Sequence, residues 1–431
     1  MFLTSIRTFF SALILIAIHL FSCTVADTPS ADYEALTLQS PFPDITLSTQ
    51  QQQFADELRE TGILFWNQEQ MRFGYRSTHL FSPVRFLHPA DEPFPLPHAD
   101  VMLDGFNVLY LHNNGVRDLD YFIREMDVSG LLVLKNGQII LEYYADGRTE
   151  SDPWMSFSVT KSVLSMLFGA AVEDGFIRST DDLVTLYIPE LEGSAYAGVA
   201  IENLLHMASG VAWNEDYTDP DSDVARLEAI TGAEELVAYM AALPRAAAPG
   251  TVFTYSTGET NLAGVLLSRA TGMSLTAYAQ QRLWHGFGME HPASWSLMGE
   301  DELEHGGCCI SASLRDYARI GHFALNGGVN QQGEAILPDT WMSQSVNPSP
   351  ANPGYGYFWW LQSNERFAAS GIFGQHLHLN PDMQLVVAIQ STWPQATSGA
   401  ASAHRRAFID GLTDAARNLG GSSCCSEQLQ E

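Results

Sequence analysis

Two hydrophobic periods divide this chain. Residues 130–134 (Gly-Leu-Leu-Val-Leu) and 138–144 (Gln-Ile-Ile-Leu-Glu-Tyr-Tyr) are short apolar runs joined by Lys135-Asn136-Gly137, and they predict a β-hairpin. After Asp152-Pro153 the period changes. Val163, Leu164, Met166, Leu167, Phe168, Ala170 and Ala171 recur at helical spacing, predicting a helix from Ser158 to about Asp174. Further helices are expected at 201–207, stopped by Ser209-Gly210, at 233–243, ended by Pro244, at 261–270, closed by Thr271-Gly272, and at 275–283 and 316–325. Strands return at 355–362, 371–379 and 384–391, the last two as a hairpin around Asn380-Pro381-Asp382. A final helix, 402–418, places Phe408, Ile409 and Leu412 on one face.

Strands, then helices, then strands and a helix describe an α/β (α+β) protein. Its antiparallel sheet is flanked by helices and interrupted by an all-helical insertion. The expected units are an extended N-terminal arm (27–125), a body from 126–180 and 301–420, a helical subdomain (181–300) and a tail (421–431). In the arm, prolines and polar breaks leave one expected helix, 50–67. Asp-Glu-Pro-Phe-Pro-Leu-Pro at 91–97 excludes a helix interior or a central strand. Between the helices of the insertion, residues 210–223 form a long acidic and aromatic loop with Trp213, Glu215, Asp216 and Tyr217.

The first residues change the picture from an ordinary globular chain to an exported one. Arg7, the apolar run 9–20 and Ser22-Cys23-Thr24-Val25-Ala26 read as a signal peptide, 1–26. Leu20-Phe21-Ser22-Cys23 also resembles a bacterial lipobox, which would end the signal at 22 and attach a lipid to Cys23. Either processing gives a periplasmic or extracellular protein. Of five cysteines, four lie in adjacent pairs, Cys308-Cys309 and Cys424-Cys425. Export permits a disulfide between the pairs, while four ordinary thiols remain the alternative. No Cys-x-x-Cys is present, so a zinc ribbon is not expected. The net charge of −29 argues against nucleic acid as a partner.

The chemistry concentrates at Ser158 and Lys161. One helical turn separates them, so both side chains share a face, and the first turn leaves free N–H groups for a developing oxyanion. A serine hydroxyl needs a base to become a nucleophile, and a desolvated lysine can be that base. The chain has only two lysines, Lys135 in the hairpin turn, where solvent is expected, and Lys161 in an apolar helix. Arginine serves elsewhere, which marks Lys161 as chosen for a titratable amine. Tyr255, before the helix at 261–270, offers a phenol for proton relay.

Together these stretches resemble the serine β-lactamase and penicillin-binding family. The likeness is to its class C-like branch, with family VIII carboxylesterases, D-amino-acid peptidases and nylon-oligomer (aminohexanoate-dimer) hydrolases. Ser156-Phe157-Ser158-Val159-Thr160-Lys161-Ser162 looks like the first motif and Phe253-Thr254-Tyr255-Ser256 like the second. Gly371-Ile372-Phe373-Gly374-Gln375 stands where lactamases carry Lys-Thr-Gly, and Trp213-Asn214-Glu215-Asp216-Tyr217 resembles the nylon-oligomer type. The resemblance implies Ser158 as acylated nucleophile, Lys161 and Tyr255 as acid and base, and the backbone N–H groups of Ser158 and Ile372 as oxyanion hole. It implies Tyr217 closing over an amide substrate, with Gly374, Gln375 and His376 along the pocket. No cofactor or metal is implied. Thr257 replaces the usual asparagine, and the third motif lacks its lysine, which favours a neutral small-molecule ester or amide over a lactam. The alternatives are a D-amino-acid or cell-wall peptidase, and a module that is acylated without turnover.

Two other patterns have plainer readings. His376 and His378 share a strand face, but a metal would need further ligands, so partly buried histidines are expected. The run Tyr355, Tyr357, Phe358, Trp359, Trp360 is expected to be core.

Overall fold

The computed structural model describes residues 30–299 and 303–419. The signal peptide with Cys23, and the tail pair Cys424 and Cys425, lie outside the described residues. Cys308 is bonded to its neighbour Cys309.

Six antiparallel strands make the main sheet. Their order is Trp360–Leu361, Phe367–Ser370, His376–Asn380, Leu385–Ser391, Val128–Lys135, Gln138–Tyr144. The expected hairpins are both present, and they meet along Leu385–Ser391 and Val128–Lys135, with Val387 opposite Val133. Alternation explains why Leu131 to Leu134 is wholly apolar. Leu132 and Leu134 face the core around the helix Val159–Glu173, whereas Leu131 and Val133 face Phe122, Phe408 and Leu412 beneath the helix Gly399–Asn418. Both faces are covered, so neither can be polar. Lys135 is half-buried rather than solvated: its Nζ donates to the Ala416 carbonyl at 2.6 Å, in the last turn of that helix.

A smaller sheet holds Val84–Leu87, Ala293–Met298, Ile310–Ala312 and Trp154–Met155, with Leu303–Glu304 beside it. It joins the arm, the end of the helical stretch and the approach to Ser158. The stretch 181–300 is therefore not all helical, because Ala293–Met298 belongs to this sheet.

The arm is more structured than expected. Thr49–Thr61 and Gln68–Ser77 are separate helices, each opened by a capping box, Ser48 with Gln51 and Asn67 with Gln70. Their apolar faces form a core of their own with Trp66, Tyr75, Trp154, Phe157 and Phe373. The stretch 355–362 is a strand only at Trp360–Leu361, because Phe358 takes a positive φ of 58° and turns the chain. The helix expected at 275–283 is Leu275–Ala279, continued by a wider π-helical stretch, Gln280–Gly288.

Candidate active site

Trp154–Met155 delivers the chain to Ser158, the N-cap of the helix Val159–Glu173. Phe157, just before it, sits at φ 48°, a region that costs energy for a residue with a Cβ. Packing holds it there: its ring lies 5.1 Å from Tyr75 and 5.4 Å from Phe373. Thr160 anchors the first turn, accepting from the N–H groups of Cys309 (3.2 Å) and Ile310 (3.0 Å). That anchor brings the Gly307 carbonyl over Lys161.

Lys161 is 1% exposed. Its Nζ lies 2.9 Å from Ser158 Oγ, 3.1 Å from Thr257 Oγ1 and 2.7 Å from Gly307 O. Burial lowers its pKa to about 8, while the charge of Glu215 pulls the other way. Tyr255 completes the group. Its hydroxyl reaches Ser158, its ring lies 5.2 Å from Lys161 Nζ, and Trp360 stacks on it at 5.7 Å. Burial, then the Glu215 charge, hold the phenol far above its ordinary value.

Ser158 and Tyr255 open onto a cavity of about 1140 Å³. Its wall includes Tyr217, Trp360, Ile372 and His376, together with Leu64, Phe65 and Trp66 from the arm. The turn Ile372–Gly374 stands beside Ser158 because Gly371 lacks a side chain, a Cβ there falling 2.4 Å from Ser156 O. The N–H groups of Gly371 and Phe373 bond Gln375 O and Ala396 O. Those of Ser158 and Ile372 make no backbone bond among the described residues, which leaves two donors at the cavity wall.

Two expected pocket residues lie elsewhere. Gln375 is 2% exposed, and its amide is held by Trp154 Nε1 at 3.0 Å and by Ser391 O at 2.8 Å. It ties strands together instead of lining the cavity. Gly374 is also off the wall, at φ 95°, where a Cβ would meet the Trp393 indole at 2.5 Å. His376 does line the cavity, with Nδ1 2.8 Å from Ser370 Oγ, whereas His378 is buried with neither ring nitrogen bonded. Of the aromatic run, Tyr355 to Trp359 are core, and Trp360 faces the cavity.

Sequence reasoning gave Glu215 no role, yet it is a hub. It accepts from Tyr217 OH at 2.8 Å, from Thr257 N–H at 2.9 Å, and from Thr257 Oγ1 and Trp213 Nε1. The signal available was the motif Trp213 to Tyr217 itself, whose acid at its centre faces two aromatic donors. Thr257, seen only as a departure from asparagine, links this carboxylate to Lys161.

The family model Beta-lactamase matches residues 122–411. The chain belongs to the Beta-lactamase family. Within that family it is 28% identical over 303 residues to a 6-aminohexanoate-dimer hydrolase of Paenarthrobacter ureafaciens, covering 64% of this chain and 76% of that one. A Bacillus anthracis structure described as a candidate 6-aminohexanoate-dimer hydrolase superposes with a TM-score of 0.72 at 22% identity, covering 81% of this chain and 95% of that chain. A family VIII carboxylesterase gives a TM-score of 0.52 at 15% identity over 68% and 97% of the two chains. This Beta-lactamase-family chain is thus a hydrolase with the mixed α/β fold expected from its sequence.

Proposed function

We propose that this protein is an exported serine hydrolase that cleaves ester or amide bonds of small molecules through an acyl-enzyme on Ser158. The observation that carries the reading is the buried Lys161 amine 2.9 Å from Ser158 Oγ at the wall of a cavity. Export rests on the signal peptide read at 1–26.

The two titrating groups have different work. With a pKa near 8, Lys161 is neutral in a useful fraction of molecules at mildly alkaline pH. Tyr255 stays a protonated phenol. Lys161 takes the Ser158 proton as Oγ bonds to the substrate carbonyl carbon, and the oxyanion faces the N–H groups of Ser158 and Ile372. As the bond to the leaving oxygen or nitrogen breaks, Tyr255 supplies its proton, and the proton held by Lys161 restores the phenol. Water then enters, and the same pair runs in reverse to release the acid. Tyr217, fastened to Glu215, stands over the leaving group.

The reading draws further support from the names of its relatives, hydrolases of an amide dimer and of carboxylic esters. Incubation with a fluorophosphonate, followed by peptide mapping, tests it. A label on Ser158, lost in Ser158→Ala, is expected; an unlabelled Ser158 in folded protein would refute it.

A further inference from the structure

The segment 305–310 braces the first turn of the helix that carries Lys161. Its Gly307 carbonyl accepts from Lys161 Nζ at 2.7 Å, and its Cys309 and Ile310 N–H groups donate to Thr160 Oγ1 at 3.2 and 3.0 Å. Between these two holds sits a disulfide joining neighbours, Cys308 and Cys309. The acyl-transfer chemistry makes no use of it.

The segment has little room to move without effect. Gly307 N–H donates to Asn261 Oδ1 at 2.9 Å, and the Trp295 indole N–H donates to His305 O at 2.9 Å and to Cys308 O at 3.1 Å. A Cβ on Gly307 would fall 2.3 Å from Thr260 Oγ1 and 3.1 Å from Lys161 Nζ, so any shift of this backbone is felt at the amine. Cys309 sits at φ 112°, a conformation rarely taken by a residue with a Cβ. A disulfide between adjacent residues closes a small ring through their shared peptide bond, and that ring limits the angles on either side of it. Cys309 is buried in the core that holds Phe157 and Phe373, the residues next to Ser158 and Ile372. Cys308 is half-buried, so of the two it is the one a dissolved thiol meets.

We propose that Cys308–Cys309 is a redox-sensitive positioning element: reduction by a dithiol frees the peptide between the cysteines, Gly307 O and the Cys309 N–H leave Lys161 and Thr160, and the amine loses its fixed place beside Ser158. This rests on the hydrolase reading and adds regulation to it. One thiolate of the reagent attacks Cys308 Sγ, the S–S bond breaks, and the Cys309 sulfur leaves as a thiolate that takes a proton. The second thiolate of the reagent then displaces Cys308 from the mixed disulfide. The protein gains two electrons and two protons, and the dithiol ends as a disulfide.

The test treats the mature protein with dithiothreitol, removes the reagent by gel filtration under argon, and follows both p-nitrophenyl ester cleavage and the rate of fluorophosphonate labelling at Ser158. Differential alkylation with peptide mapping locates the thiols. Without reductant, a peptide bonded from 308 to 309 is expected. On reduction kcat should fall by about tenfold or more with KM changed far less, labelling should slow in parallel, and reoxidation should restore both. Cys424→Ser/Cys425→Ser should respond as the wild type does, which separates the effect from the tail. Cys308→Ala/Cys309→Ala should stay at the reduced level with or without dithiol. If that variant does not fold, the reversible change in the wild type still decides. Free thiols at 308 and 309 in protein kept without reductant, or bonds from them to the tail pair, overturn the proposal. Undiminished kcat and labelling after both thiols are freed overturn it as well, and leave the hydrolase intact. No ester cleavage, with Ser158 unlabelled in both forms, overturns the hydrolase. Hydrogen exchange then decides the positioning claim: faster exchange of the Cys309 and Ile310 amides on reduction supports it, and unchanged exchange sinks it.

Discussion

Lys161 and Glu215 are joined through the Thr257 hydroxyl, which accepts from the amine at 3.1 Å and donates to the carboxylate. The Lys161 amine, the base in the proposed mechanism, is thus coupled to the loop that carries Tyr217. All the atoms that approach Glu215 are donors: an indole N–H, a phenol, a backbone N–H and the Thr257 hydroxyl. An amide offers one acceptor oxygen and sets its own N–H groups against the remaining donors.

Glu215→Gln therefore has two expected effects. Removing the charge takes away the influence that raises Lys161, so the limb in kcat/KM near pH 8 moves to lower pH. Loss of bonding at the hub costs about 1–3 kcal/mol of stability, read by denaturant unfolding. A limb that stays in place would show that Glu215 does not act on the amine.

The pH profile of the wild type follows from Lys161 directly. Its folded pKa of about 8 lies below the ordinary 10.5, so kcat/KM for a neutral ester should rise with pH and level off above about 8. Stability should increase between those two values as well, because the unfolded chain binds the extra proton there. Lys161→Arg keeps the charge and removes the base, and Lys161→Met removes both. Each should lower kcat by about a thousandfold, measured with a p-nitrophenyl ester beside a circular dichroism check of folding.

Gly371→Ala tests the turn beside Ser158. The new Cβ would fall 2.4 Å from Ser156 O, so Ile372 must move away from Ser158. A shift of about 1 Å in an oxyanion donor costs on the order of a hundredfold in kcat. KM should change far less. An unchanged kcat would remove the Ile372 N–H from the proposed mechanism.

Glu259 sets a separate pH dependence. It is 3% exposed, bonded to Ser209 and, at 3.3 Å, to Tyr196, and burial raises its carboxyl to about 8 from 4.5. A folded pKa above the unfolded one means that stability is fullest below 4.5 and is lost as pH rises towards 8. Glu259→Gln should flatten that slope in urea unfolding across the same interval. A slope as steep as the wild type would contradict the assignment.

The legible parts of this protein are those whose signal is local. Ser158 and Lys161 are one turn apart on an apolar helix, and the hairpins around Asn136-Gly137 and Pro381-Asp382 need only turn chemistry and short apolar runs. The small sheet was not legible, because strands such as Trp154–Met155 and Ile310–Ala312 are too short to show a period. The helix Gln68–Ser77 was missed although Asn67 and Gln70 marked its start, since its buried face, Met71, Gly74 and Tyr75, spans barely one turn and is too short to stand out as a period. The aromatic run at 355–360 read as a strand because aromatic residues favour strands, yet tertiary packing around Phe358 bends it. Gly307 lies far along the chain from Lys161, and only folding sets its carbonyl on that amine.

The proposed hydrolysis passes through a covalent bond to one oxygen, Ser158 Oγ, and mass spectrometry of the acid-quenched enzyme during turnover of a slow p-nitrophenyl ester reads that bond directly. Intact protein heavier by one acyl group is expected, the added mass mapping to Ser158 and absent from Ser158→Ala. Steady turnover with no acyl adduct, or an adduct on another residue, would contradict it.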